Sequence, residues 1–180
     1  SLSPRQLLDL GEEDGHLFAV MPHVAVATLA QRIERRPLTL LESLRVAIGV
    51  CTTLRELHAR RVLHRNVKPS NIIVSEQGAI QRAVLVDVGL AFENLLGVPE
   101  HRARESVLYL SPEQTCSVDV DVGESSDLYS VGIILFECLT VRPPFHGRTV
   151  GEILFEHMTA PVPELQSRGI DVPRVVDELI

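Results

Sequence analysis

The stretch Asp127-Leu128-Tyr129-Ser130-Val131-Gly132-Ile133-Ile134-Leu135-Phe136-Glu137-Cys138-Leu139 is apolar on nearly every face of the helix it would form. A surface helix keeps a polar stripe, so a helix without one has to be enclosed by protein. The segment therefore predicts a central helical pillar with the rest of the chain packed round it. The 180 residues are one domain's worth and long enough to bury a sizeable core, and 45% hydrophobic with 23% charged residues is ordinary for a soluble globular protein. The longest apolar run, around Val131–Phe136, is far too short to cross a bilayer, and residues 1–15 lack a basic-then-apolar leader pattern, so the chain reads as cytoplasmic.

A net charge of -7 argues against a general nucleic-acid binder, which needs a basic face to displace counterions from phosphates. Cys51, Cys116 and Cys138 are odd in number, far apart and in no C-x-x-C arrangement, which predicts reduced structural thiols and no cysteine metal site.

Leu7–Leu10 and Leu17–Met21 read as two strands joined across Gly11–Gly15, with Asp14-Gly15 supplying turn chemistry. Leu29 and Ile33 predict a short helix before Pro37. Thr39-Leu40-Leu41-Glu42 is a capping box opening a long helix to about Arg61, with Leu41, Leu44, Ile48, Cys51 and Leu54 as its core-facing stripe and His58 on the same side. Ile72–Val74 and Val84–Val86 predict a second hairpin turning at Gln77-Gly78. Thr149-Val150-Gly151-Glu152 opens a helix through about His157 that Pro161 and Pro163 end, and Val172–Ile180 reads as the start of another, so that both chain ends read as cuts.

Chemistry concentrates in the run His64-Arg65-Asn66-Val67-Lys68-Pro69-Ser70-Asn71 and in Asp87-Val88-Gly89, which ends the apolar stretch Ala83–Val86. Both fall on loops beside strands, where functional groups usually sit. Singly, each is an ordinary turn. Their order is more specific: the run, a strand pair, Asp-Val-Gly, then Ser111-Pro112-Glu113, then Asp127-Leu128-Tyr129-Ser130-Val131-Gly132. In that order they resemble the H-R-D-x-K-P-x-N, D-F-G, A-P-E and D-x-x-S-x-G motifs of protein kinases, most closely the bacterial members of the eukaryotic-type Ser/Thr kinase family.

That resemblance implies an α+β, protein-kinase-like fold: residues 1–24 as the end of the small N-terminal lobe with its hinge, and residues 25–180 as a mostly helical C-terminal lobe, truncated at its far end. It implies ATP and Mg²⁺ as cofactors and a protein substrate or a regulated domain as partner. Lys68 would set a positive charge against the transferred phosphate, and Asn71 and Asp87 would hold magnesium through hard oxygens. Met21 would guard the back of the adenine pocket, Pro22 to Val24 would form the hinge, and Ile73 the apolar floor. Ser106 stands where these kinases place a Thr that touches both catalytic loop and substrate.

Several positions depart from the pattern. Asn66 occupies the position of the proton-accepting Asp; its amide accepts a hydrogen bond but takes up no proton at neutral pH. The Gly-rich loop, the V-A-x-K lysine and its glutamate partner are not supplied by residues 1–6, so the chain as given is expected to bind nucleotide weakly or not at all and to be inactive or very weak. The two readings are thus a Ser/Thr kinase portion and a pseudokinase that binds and regulates attached domains. Val88 replaces a Phe. Val141 replaces a Gly, and since β-branched residues resist positive φ, the central helix is expected to end differently. Glu113 is left without its usual Arg. No Ser, Thr or Tyr lies between Leu90 and Glu105, which predicts no phosphorylation switch there, with Arg65 pairing instead with Glu93, Glu100 or Glu105. His101–Arg104 reads as a solvated loop in preference to a docking spot for an acidic partner.

Overall fold

A computed structural model of the chain describes residues 9–13, 16–20, 27–87, 100–115 and 122–180, with residues 9–20 and 100–102 considered through their backbone. β1 (Asp9–Glu13) and β2 (His16–Val20) form an antiparallel hairpin pairing Asp9 with Val20 and Glu13 with His16. The first strand thus runs through Gly11-Glu12-Glu13, which the sequence reading had placed in the turn; Asp14-Gly15 lies outside the described residues.

α1 (Leu29–Ile33) and α2 (Leu40–His58) both begin with capping boxes: Thr28 with Gln31 and Thr39 with Glu42 satisfy each other's exposed amides. β3 (Ile72–Gln77) and β4 (Ala79–Leu85) pair antiparallel with Ile72 opposite Leu85, turn at Gly78 with φ 76°, and carry a bulge at Ser75/Glu76. α3 (Glu100–Val107), α4 (Glu124–Thr140), α5 (Val150–Thr159) and the short α6 (Arg174–Asp177) complete the order.

α4 is the enclosed pillar. Val131, Ile133, Ile134 and Cys138 face a core shared with α1, α2, β3, β4 and Phe145, while Phe136 and Leu139 face a second core with Leu165, Val172 and Val176. Gly49 of α2 lies so close to β4 that a Cβ there would sit 2.3 Å from the Ala83 carbonyl oxygen, a contact only glycine avoids.

The core-facing stripe of α2 differs from the sequence expectation. Leu54 is buried as expected and Leu44 and Cys51 are half-buried, but Leu41 and Ile48 are 58% and 66% exposed, and Glu42, Val46, Val50 and Thr53 turn inward in their place. The helix is rotated because Glu42 is the buried hub of a polar network: its carboxylate receives Arg32, Arg36, the Thr39 amide and the Ile80 amide at 2.9–3.3 Å. Arg32, also buried, bonds Glu76 at 2.6 Å. Burial pushes the Glu42 carboxyl up, but these hydrogen bonds outweigh it and hold it at about 2.

The end of α4 is a second correction. Val141 does adopt the left-handed conformation, φ 69° and ψ -6°, and its amide donates to the Glu137 carbonyl at 2.7 Å. The helix closes as a glycine would close it, and Val141, packed against the core, bears the strain. At α5, Thr149 caps the Glu152 amide, but the Glu152 carboxylate accepts from the Arg148 amide at 2.7 Å, so the box is half made. His101–Arg104 is helical, not a solvated loop: Ala103 is buried and Arg104 donates to the Gly147 carbonyl at 3.0 Å. Cys51 and Cys138 are free thiols, and Cys116 lies outside the described residues. No described helix is long and apolar enough to cross a membrane.

Candidate functional site

The site builds on the open end of the β3–β4 hairpin. Residues 69–71 form a single 3₁₀ turn entering β3, with Pro69 pre-set for its first position, and the Asn71 amide donates to the Lys68 carbonyl at 2.9 Å. Two residues past the end of β4, Asp87 sits beside that turn, because the Val86 amide donates to the Asn71 carbonyl at 2.9 Å. The Asn71 side chain closes the loop through Nδ2, which donates to the Asn66 carbonyl at 2.9 Å. Hydrogen bonding therefore draws Asn66, Lys68, Asn71 and the backbone leading into Asp87 into one cluster.

Two residues of this cluster, Arg65 (φ 61°) and Asp87 (φ 60°), are left-handed, at a cost of about 1–2 kcal/mol each for a side chain with a Cβ. The strain at Arg65 is held by Asp127, in the first turn of α4, 2% exposed. Its Oδ2 accepts the His64 amide at 2.9 Å and His58 Nε2 at 2.8 Å, and its Oδ1 accepts the Arg65 amide at 2.8 Å. From the far side, Gln114 Nε2 donates to the Arg65 carbonyl at 3.2 Å. Strain retained by such over-determination is characteristic of functional turns.

His64 is fully buried. Its Nε2 donates to the Val86 carbonyl at 3.0 Å while Nδ1 accepts the Asn66 amide at 3.3 Å, which fixes the tautomer. Burial pushes the imidazole down, against the Val86 carbonyl and the Asp127 and Asp87 carboxylates, so the ring is neutral at pH 7. It acts as a spacer between the 64–66 turn and the strand that delivers Asp87.

Asn71 is 7% exposed, and its Oδ1 has no hydrogen-bond partner among the described residues. Two hard oxygen donors, Asn71 Oδ1 and the Asp87 carboxylate, thus belong to the mouth of one hairpin, a donor type suited to magnesium. Among the described residues no cluster of three or more His, Cys, Asp or Glu could hold a metal, so protein donors alone would leave most of the coordination shell to a ligand and water.

The other expected residues distribute as follows. Ile73 is half-buried on β3 and bridges Thr28, with the Val74 amide donating to the Ala27 carbonyl at 3.0 Å. Met21, Pro22, Val24 and Val88 lie outside the described residues. Ser106 is in the last turn of α3, half-buried, and among the described residues no hydrogen bond joins it to the 64–71 turn. Among the described ion pairs none joins Arg65 to Glu105, while Glu93 and the Glu100 side chain are outside the described residues.

Glu113 does have a partner: Ser126 donates to it at 2.5 Å. Burial pushes its carboxyl up, but the bonds from Ser126 and Ser111 outweigh this and leave it below its ordinary range. Sequence reasoning missed Asp127 and His58 as the holders of the turn. The signal was a carboxylate opening an otherwise apolar helix, which can be buried only if donors converge on it.

Comparison with known proteins identifies the family. Residues 5–172 match the family model described as protein kinase domain. The serine/threonine-protein kinase PrkC of Bacillus subtilis is 33% identical over 177 residues, 97% of this chain and 26% of that protein. The probable serine/threonine-protein kinase PknB of Lactococcus lactis is 30% identical over 175 residues, 96% of this chain and 27% of that protein. PknL of Mycobacterium tuberculosis is 33% identical over 177 residues, 96% of this chain and 43% of that protein. The chain thus spans about a quarter of the length of the first two.

Proposed function

Because the chain belongs to the protein kinase domain family, we propose that the 64–71 turn and Asp87 form a magnesium–nucleotide site from which the proton acceptor has been removed. The reaction class is phosphoryl transfer from ATP to Ser/Thr hydroxyls of a protein, running far below the rate an aspartate at position 66 would give. Residues 25–180 would be the large lobe that carries this site, and residues 1–24 the end of the small lobe with Met21, Pro22 and Val24 against the adenine and Ile73 beneath it.

One observation supports the reading: the Asn71 side chain ties to the Asn66 carbonyl while its own carbonyl ties to the Val86 amide, so the 64–71 turn and the backbone leading into Asp87 are joined. Asn71 and Asp87 would hold magnesium, which when bound offsets phosphate charge. Lys68 sets a compact cation beside the same phosphates. Asn66 accepts a hydrogen bond from the incoming hydroxyl and so orients it, but keeps no proton. General-base help is worth about 10²–10⁴-fold, roughly 3–5 kcal/mol of barrier. Positioning and electrostatics supply most of the rest of phosphoryl-transfer catalysis. Ser106 would act as a further contact to substrate.

The test is Asn66→Asp in the full-length protein, assayed for phosphate transfer from Mg-ATP to itself and to Ser/Thr peptides. An increase of about 10²-fold or more is expected. The substitution at Asn66 also favours a second reading, a regulatory module that holds nucleotide without turning it over. Nucleotide binding together with no gain from Asn66→Asp would select it and refute the first.

A further inference from the structure

A groove of about 450 Å³ runs between α2 and the first turns of α4, with His58, which bonds Asp127, in its lining. Cys51, Leu54 and Leu128 give it apolar walls, and Leu128 is 51% exposed although it belongs to the most enclosed helix of the molecule. The polar groups at one end are unevenly matched. Arg55 lines the groove, is exposed, and makes no ion pair among the described residues. His58 is held at Nε2 by Asp127, leaving Nδ1 facing Glu124 at 3.8 Å, too long for a hydrogen bond. The Glu124 side chain is itself 64% exposed. A loosely held carboxylate therefore stands near an imidazole nitrogen and an unpaired guanidinium, over an apolar floor.

We propose that this groove binds a small apolar carboxylate, whose acid group displaces Glu124 and pairs with the Arg55 guanidinium beside the His58 ring while its tail covers Cys51 and Leu128. Charge complementarity selects the acid: an Arg fork receives a carboxylate in two parallel bonds, and Glu124 already marks where a carboxylate is tolerated. The ligand would touch the ring that holds Asp127, and Asp127 in turn holds the amides of His64 and Arg65. Binding is thus read out beyond the groove itself. The inference is independent of the role assigned to the 64–71 turn.

The experiment is a titration of the ¹⁵N-labelled protein with sodium hexanoate, with hexan-1-ol and sodium acetate as controls. Hexanoate should saturate, shifting amides in 51–59 and 124–128 together with those of His64 and Arg65. The alcohol and acetate should bind at least about tenfold more weakly, and Arg55→Gln should weaken hexanoate by about tenfold. Glu124→Gln, by removing the internal competitor, should tighten it about threefold or more, an effect that mere damage to the fold would not produce. Equal binding of hexan-1-ol, indifference to Arg55→Gln, no tightening in Glu124→Gln, or the absence of saturable shifts in the groove would each overturn the proposal.

Discussion

Asp127→Asn isolates what holds the strained 64–66 turn. The carboxylate takes three donors on two oxygens, and it is buried. With the amide oxygen kept at the Oδ2 position, His58 and the His64 amide retain an acceptor but lose its charge, about 1 kcal/mol for each bond. The amide nitrogen then faces the Arg65 N–H, a part-buried donor left unmet at about 1–3 kcal/mol. The expected loss is about 3–5 kcal/mol, a large share of the 5–15 kcal/mol typical of a domain.

Urea unfolding measures that total, and hydrogen exchange locates it. The His64 and Arg65 amides should lose about 10²-fold in protection, more than the amides of β3 and β4, because the turn opens locally before the hairpin does. His58→Gln, which keeps both backbone amides satisfied, should cost clearly less. A loss below about 1 kcal/mol for Asp127→Asn, or protection falling equally at His64 and throughout β3 and β4, would refute the assignment of Asp127 as the anchor.

Three further outcomes are expected. Glu42 titrates at about 2 in the folded chain against an ordinary value of 4.5, so its contribution of about 3 kcal/mol is fully present above pH 4.5 and lost as pH falls toward 2; Glu42→Gln should be markedly less stable than wild type at pH 7, with the gap narrowing at pH 3 in urea melts. Val141→Gly should lose no stability and gain up to about 1 kcal/mol, because relief of about 1–2 kcal/mol of left-handed strain offsets the added chain entropy and lost packing; thermal unfolding checks it, and a loss above about 1 kcal/mol would contradict it. Ile48→Glu should change stability by no more than about 0.5 kcal/mol, while Val50→Glu, two positions on and 1% exposed, should prevent folding; circular dichroism and denaturation distinguish them.

Legibility followed locality. Helix starts at Thr39 and Thr149 depend on contacts within one turn, and the pillar at Asp127–Leu139 on its own composition, so both were readable in the chain. The β3–β4 hairpin was readable for the same reason. The inward face of α2 was not, because it is decided by Glu42 meeting Arg32, Arg36 and the Ile80 amide, partners from three other parts of the chain. A stripe drawn through Leu41 and Ile48 obeys helical spacing equally well; only the long-range polar hub rotates the helix away from it. Val141 shows the opposite failure: the local preference was read correctly, and tertiary packing overrode it. Around the candidate site, Lys68, Asn71 and Asp87 stood out by residue type and order, whereas Asp127, whose partners His64 and Arg65 lie more than 60 positions away, was legible only as an oddity.

The near-collision at Gly49 sets how the hairpin can behave. With the α2 backbone seated directly on the Ala83 carbonyl, there is no cushion of side chains for β4 to slide or rock upon. The groups at the mouth of the hairpin are consequently mounted on a stiff plinth, and any adjustment they make to a ligand has to come from torsions of the 64–71 turn itself. Adding a single methyl at position 49 would jack the plinth off its base and carry Asn71 and Asp87 with it, although neither residue is touched.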